Sequence, residues 1–285
     1  MKTLKYYIKK AQKEKFAIGQ FNFSTFEQVK GIVEAAKNLK SPIILGTSEG
    51  ESKFVGLQEA VAMRDVLRKK TGLPIFLNLD HGHSFEYVKE AINAGYDMVH
   101  FDGSKLPMEE NIKVTKEVRR YASWRGVLVE GEIGTISTDA SRVYDEKFEI
   151  KEADLTTPED AETYAKKTGV EVLAVSVGTF HGIDSQVLSP NIRLDRLEQI
   201  KKEVAVPLVL HGGSGTPQED FKKAIELGIV KININTDIRV AFAQALEAEL
   251  AKEEITPYKY LPAAINAVQA VVEEKIRLFG SGGKV

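Results

Sequence analysis

Short apolar runs rich in β-branched and aromatic residues recur along the chain. They fall at 16–21, 42–47, 74–80, 98–102, 127–132, 172–178, 208–211 and 231–235. Each has the length of a strand, and most are near-continuously apolar, as strands covered on both faces are. Segments with helical periodicity separate most of them, at 26–38, 85–94, 109–121, 158–167, 194–203 and 217–227. Two of these open with Thr followed by Pro and acidic residues, "TTPEDAETYA" and "TPQEDFKKA". That order supplies an N-cap, a first-turn proline and charges suited to the helix dipole. Strand and helix alternating about eight times predict an α/β chain folded as a (β/α)8 TIM barrel, a single domain over 1–285. A doubly wound open sheet is the structural alternative. The tail "YLPAAINAVQAVVEEKIRLFGSGGKV" adds an extra C-terminal amphipathic helix and a Gly/Ser-rich end.

In such a barrel the chemistry gathers at the C-terminal ends of the strands. The third run ends in Asp80-His81, the fourth in Asp102 and the fifth in Glu132, while the sixth leads to His181 and the seventh ends in His211. Polar and charged groups at the end of an apolar strand carry a desolvation cost unless they are paired or liganded. One histidine there reads as an ordinary hydrogen-bonded residue. Three on one rim, in a chain without cysteine, read as a catalytic zinc site with His81, His181 and His211 as ligands. Asp102 and Glu132 either orient ligand imidazoles or occupy an alternate metal position. His83 is either a substrate or ligand-supporting contact or a solvated loop residue. His100 shares parity with Asp102 and is expected inside the barrel as a buried core histidine. Glu130, one layer below Glu132, is expected to be a paired interior residue.

His211 runs into "HGGSGTPQEDF", a glycine-rich turn ahead of a helix. Backbone N–H groups and the positive end of a helix dipole make that an anion site. The eighth strand ends in "KININTDIR", beside that turn, and its Asn and Thr side chains can supply further donors. Gly182, directly after His181, would let a ligand approach the backbone.

Bulk properties narrow the partners. Apolar residues make up 43% of the 285 residues and the formal net charge is −2, with both signs interspersed. No basic stripe or block predicts nucleic acid as a partner. The chain lacks cysteine, so disulfides and thiolate chemistry are excluded. No signal-peptide core and no run approaching the ~20 residues of a membrane span is present, so the expectation is a soluble, cytoplasmic protein without a membrane partner.

The segments "LDHG", "FDGS", "VEGEIG", "VSVGTFHGI", "LVLHGGSGTP" and "KININTD" resemble, in order and spacing over essentially the whole chain, the signature segments of class II, zinc-dependent fructose-bisphosphate aldolases and their tagatose-bisphosphate relatives. The resemblance implies zinc held by His81, His181 and His211, with Asp80 as general acid/base at the C4 hydroxyl. It implies dihydroxyacetone phosphate bound by Gly182, Gly212, Gly213 and Ser214, with Asn233, Ile234, Asn235 and Thr236 completing the site. Asp102 and Glu132 match positions linked to a second or alternate divalent metal. Arg239 matches an arginine that reaches the distal phosphate, within the chain or across a subunit interface, and Ser48 is a further candidate for that phosphate. The implied activity is reversible cleavage of fructose 1,6-bisphosphate to dihydroxyacetone phosphate and glyceraldehyde 3-phosphate by a homodimer or homotetramer, with tagatose 1,6-bisphosphate as the alternative. The acid that moves the C3 proton would lie in the loop after strand five, where Asp139, Asp145 and Glu146 are candidates. His83 and Phe180 stand where smaller residues are common, and "HGIDSQV" lacks the lysine that some relatives carry. A zinc hydrolase would not need the phosphate cradle, and a non-catalytic sugar-phosphate sensor would not need Asp80 together with the three histidines.

Overall fold

The structure, a computed structural model, describes residues 2–136, 151–180, 182 and 192–285, with the backbone alone at 143–144 and 183–184. Eight parallel strands close a barrel in chain order, as the alternation predicted. They are β1 (Ile18–Asn22), β2 (Ile43–Ser48), β3 (Ile75–Gly82), β4 (Met98–Phe101), β5 (Leu128–Ile133), β6 (Val172–Val175), β7 (Leu208–Leu210) and β8 (Ile229–Ile234). β6 ends earlier than its apolar run, because Ser176 follows and Gly178 turns to a φ of 98°. β8 begins two residues before Lys231. A two-residue parallel ladder, Val143–Tyr144 with Ile183–Asp184, was not foreseen.

The helices are α1 (Leu4–Glu14), α2 (Phe26–Leu39), α3 (Glu49–Val55), α4 (Leu57–Thr71), α5 (Phe85–Ala94), α6 (Met108–Ser123), α7 (Pro158–Thr168), α8 (Leu194–Glu203), α9 (Gln218–Glu226), α10 (Thr236–Leu250) and α11 (Pro257–Leu278). The sequence pattern did not single out α1, α3, α4 or α10. Gly56, at a φ of 93°, breaks the helical register between α3 and α4. The expected tail helix is α11. It lies close against α2, where a Cβ on Gly31 would meet the carbonyl oxygen of Ile265 at 2.6 Å. Only glycine permits that approach.

The barrel interior is layered. At its base Leu4, Tyr7, Ile8 and Ala11 of α1 pack onto Ile18, Ile44, Phe76, Met98, Leu128, Val172, Val209 and Val230. The spacing of the four α1 residues is that of one helix face, and α1 uses it to plug the bottom of the barrel. Above this apolar floor the interior turns polar. Asn78 Nδ2 donates to Gln20 Oε1 at 2.8 Å, and Lys231 Nζ donates to Glu130 Oε2 at 2.7 Å. The C-terminal rim therefore rests on a polar layer, which rests on a dry one.

Tyr7 is the largest side chain that α1 adds to the floor, and its ring lies 5.8 Å from that of Phe76. Tyr7→Ala is expected to lower unfolding free energy by about 3–5 kcal/mol, read from urea denaturation.

Candidate active site

β3 delivers Asp80 and His81 to the rim, and it does so with a distortion. Leu79 pairs with Val99 and Gly82 with Phe101, so β3 carries an extra residue against β4. His81 takes up that bulge at a φ of 53°, a left-handed conformation unfavourable for a side chain of this kind. Its backbone N–H is held by His100 Nδ1 at 3.1 Å. That bond makes Nδ1 of His100 the acceptor and puts the ring proton on Nε2, 3.1 Å from Glu132 Oε2.

The bulge swings the His81 ring toward His211, at the end of β7. His81 Nε2 and His211 Nδ1 lie 3.0 Å apart. The far nitrogen of each ring meets a carboxylate: His81 Nδ1 is 2.8 Å from Asp102 Oδ2, and His211 Nε2 is 2.6 Å from Glu130 Oε1. Each carboxylate is itself fixed. Asp102 Oδ1 accepts from the N–H and the hydroxyl of Ser104, at 3.1 and 2.6 Å, and Glu130 Oε2 accepts from Lys231. Carboxylates at the far nitrogens draw the ring protons there, which leaves His81 Nε2 and His211 Nδ1 as acceptors across the gap, with Asn233 Nδ2 also 3.2 Å from His211 Nδ1. A proton or a cation must lie between them, and carboxylate–imidazole pairs of this kind orient metal ligands. Burial pushes the His211 pKa down to about 3, outweighing the pull of Glu130, so the ring is a neutral donor. Asp102 and Glu132 stand with His81 as a second group of possible ligand atoms within 4.8 Å of one another. Glu132 Oε2 is buried, 3.1 Å from His100 Nε2 and 3.8 Å from His81 Nδ1. The residues present therefore fit a divalent metal. His181, the third expected ligand, lies outside the described residues, as do Asp139, Asp145 and Glu146.

Asp80 stands beside this pair. Its Oδ2 accepts from Asn22 Nδ2 at 2.9 Å and its Oδ1 from Asn233 Nδ2 at 2.8 Å. Burial raises its pKa, but His81, His100, His211 and Lys231 around it outweigh burial and hold the carboxyl well below its usual range. It is an ionised, immobilised base.

A cavity of about 490 Å³ opens over these groups. Its described lining includes every expected site residue except His181 and Ile234. Ile234 does not offer its side chain, which is fully buried in the core between sheet and helices. Gly212, at a φ of 64°, passes so close to the backbone of Phe180 that a Cβ would meet the Phe180 carbonyl oxygen at 2.4 Å. Gly212, Gly213 and Ser214 thus present main chain to the cavity, next to the N-terminus of α10. The N-cap of α10, Asn235, makes no side-chain capping bond, while the Asp237 N–H donates to Ser214 Oγ at 3.3 Å. The positive end of the helix dipole there favours an anion. His83 lines the cavity with its side chain 59% exposed. Glu130 is the paired interior residue expected of it, and His100 is buried as expected but belongs to the histidine cluster. Sequence reasoning missed Asn22, Glu51, Ser104 and Lys231. The signal available for Lys231 and Asn22 was strand parity, which puts both inside the barrel; Glu51 offered only a capping box with Ser48.

An eight-stranded barrel with a braced imidazole pair, a fixed carboxylate and an anion cradle at one rim defines a metal-dependent enzyme acting on a phosphorylated substrate. The family model "Fructose-bisphosphate aldolase class-II" matches residues 2–284. The chain is 38% identical to fructose-bisphosphate aldolase of Geobacillus stearothermophilus, over 99% of this chain and 98% of the other. It is 40% identical to sulfofructosephosphate aldolase of Alkalicoccus urumqiensis, over 97% and 96%. The crystal structure of the YdjI aldolase from Escherichia coli K12 superposes with a TM-score of 0.85 at 30% identity, covering 100% of this chain and 99% of that one. The chain belongs to the class II fructose-bisphosphate aldolase family and is an aldolase, a lyase of a metal-dependent class. Among the described residues no helix is long and apolar enough to cross a membrane.

Lys231 compensates Glu130 where neither is exposed. Lys231→Met leaves that carboxylate with the His211 ring as its remaining side-chain partner among the described residues. The variant is expected to lose about 3–5 kcal/mol of stability, measured by chemical denaturation.

Proposed function

We propose that the chain is a zinc-dependent aldolase that reversibly cleaves a ketose 1-phosphate to dihydroxyacetone phosphate and an aldehyde, with residues 1–285 acting as one catalytic domain. The observation that carries this reading is the shared cavity: Asp80, His81 and His211 line it together with Gly212, Gly213 and Ser214. His81 Nε2 and His211 Nδ1 would hold the metal, with His181 as the third ligand. Imidazole donors in a chain without cysteine suit zinc. When bound, the metal would polarise the ketose carbonyl and offset the charge that develops on the ketone half during cleavage.

The remaining work belongs to the chain's own groups. Asp80 takes the C4 hydroxyl proton as the C3–C4 bond breaks and returns it in condensation. Asn22 and Asn233 hold both of its oxygens, so its position costs nothing to reach at the moment of reaction. The main chain at Gly212–Ser214 and the start of α10 receive the 1-phosphate. Asp102 and Glu130 keep the two rings in the ligand tautomer. Asp102 and Glu132 are read primarily as orienting groups for this site, with an alternate divalent position between them as the second role. Gly182, Asn235 and Thr236 complete the phosphate side, while Ser48 and Arg239 face the distal end of the sugar.

Fructose 1,6-bisphosphate is the substrate the resemblance implies, and tagatose 1,6-bisphosphate differs from it only at C4. A relative named for sulfofructosephosphate at 40% identity means that likeness does not choose the distal group. A cytoplasmic homodimer or homotetramer is the assembly the resemblance implies.

Chelator-treated protein is expected to lose cleavage of ketose phosphates and to regain it with zinc, in an assay coupled to dihydroxyacetone phosphate release. Asp80→Ala should retain zinc and lower kcat by about 10²–10⁴-fold. Near-full kcat in that variant would remove Asp80 from the role of base.

A further inference from the structure

Arg239, at the outer wall of the cavity, is the group expected to meet a second phosphate. In this chain its Nη2 donates to Glu51 Oε1 at 2.5 Å. Glu51 is 5% exposed, and its other oxygen accepts from Asn22 Nδ2 at 3.0 Å and from the Ser48 N–H at 2.8 Å. The carboxylate is thus pinned by the N-terminal turn of α3 and by the amide that also holds Asp80. Glu49 adds a second carboxylate to the same wall, accepting from the His83 N–H at 2.7 Å. The other cation of the described lining, Lys105, follows β4 on a different strand end.

We infer that Glu51 is a specificity-determining residue: by occupying Arg239 it sets this wall against a distal phosphate and favours a ketose 1-phosphate whose far end is a neutral, hydroxyl-bearing chain. This rests on the aldolase reading above and narrows its substrate class. A phosphate ester carries about −1.5 to −2 charges at neutral pH. A phosphate brought to the guanidinium lies in the field of the Glu51 carboxylate, and Glu51 cannot turn away without releasing Asn22 and the Ser48 N–H. A hydroxyl meets no such repulsion. Repulsive groups placed against the wrong ligand are a common source of specificity.

The test uses Glu51→Gln. Glutamine keeps an oxygen for the α3 capping bond and for Asn22, and turns an amide N–H₂ toward Arg239. Calorimetric titration of the zinc-loaded protein with hexitol 1-phosphate and hexitol 1,6-bisphosphate, which cannot be cleaved, reads the discrimination without turnover. Wild type is expected to bind the monophosphate more tightly than the bisphosphate, by about threefold or more. Glu51→Gln should favour the bisphosphate by at least about tenfold, and Glu51→Gln with Arg239→Gln should lose that gain. A Glu51 that only caps α3 would shift both affinities together and leave the ratio unchanged, which would overturn the proposal. So would a wild type that prefers the bisphosphate tenfold or more. Arg239→Gln alone gives a reading that does not need the Glu51 variant to fold: it should leave the wild-type ratio within about twofold, and a tenfold loss confined to the bisphosphate would also overturn it. Zinc-dependent cleavage of fructose 1-phosphate and fructose 1,6-bisphosphate is measured separately. Its absence from both, with the affinity ratios as expected, would remove fructose phosphates as the substrates of the proposed reaction and leave the role of Glu51 standing.

Discussion

Two imidazole nitrogens, His81 Nε2 and His211 Nδ1, face each other at 3.0 Å, and much of the rim exists to keep them there. Each ring's proton is drawn to a carboxylate on its far side, so the near nitrogens meet as lone pairs. Held without a shared proton or cation, that arrangement is unfavourable, and the surroundings hold it firmly. Ser104 fixes Asp102, Lys231 fixes Glu130, and His100 grips the strained peptide of His81. The constraint reaches down through the barrel. Lys231 and Glu130 are tolerated where neither is exposed because they satisfy each other and His211. The apolar floor sealed by α1 lies beneath them.

The base and the distal wall are linked by one amide. Asn22 Nδ2 donates both to Asp80 Oδ2 and to Glu51 Oε2. Asp80 is therefore positioned by the same side chain that helps anchor the partner of Arg239. In the proposed reaction, a continuous hydrogen-bonded strip across β1, β3 and the start of α3 would join the catalytic carboxylate to the wall that meets the far end of the sugar. The phosphate cradle needs no such strip. It is main chain brought close by Gly212, whose left-handed turn lets β7 pass against the Phe180 backbone.

The barrel was legible because strand and helix periods differ and alternate cleanly, and because eight strands close. The rim was legible because Asp80, His81, Asp102, Glu132 and His211 interrupt apolar runs at the same relative place. What escaped was of two kinds. α10 follows β8 after a single residue and leaves most of its length only partly covered, so its apolar face is weakly marked. α3 and α4 were hidden by the glycine that separates them. Among site residues, Asn22 closes β1 and Lys231 lies within β8, where parity alone assigns them a side without naming a partner. Glu51 carries no local signal beyond a capping box with Ser48, since its contacts with Asn22 and Arg239 join positions far apart in sequence.

The most direct test of the central claim is a zinc-binding isotherm of the metal-stripped chain beside that of His81→Ala. One saturable, tight site per chain that is lost in the variant is the result predicted from two braced imidazoles sharing a cation. No saturable binding, or equal affinity in His81→Ala, would mean that the gap between the rings holds only a proton, and the account of this rim as a metal centre would be wrong.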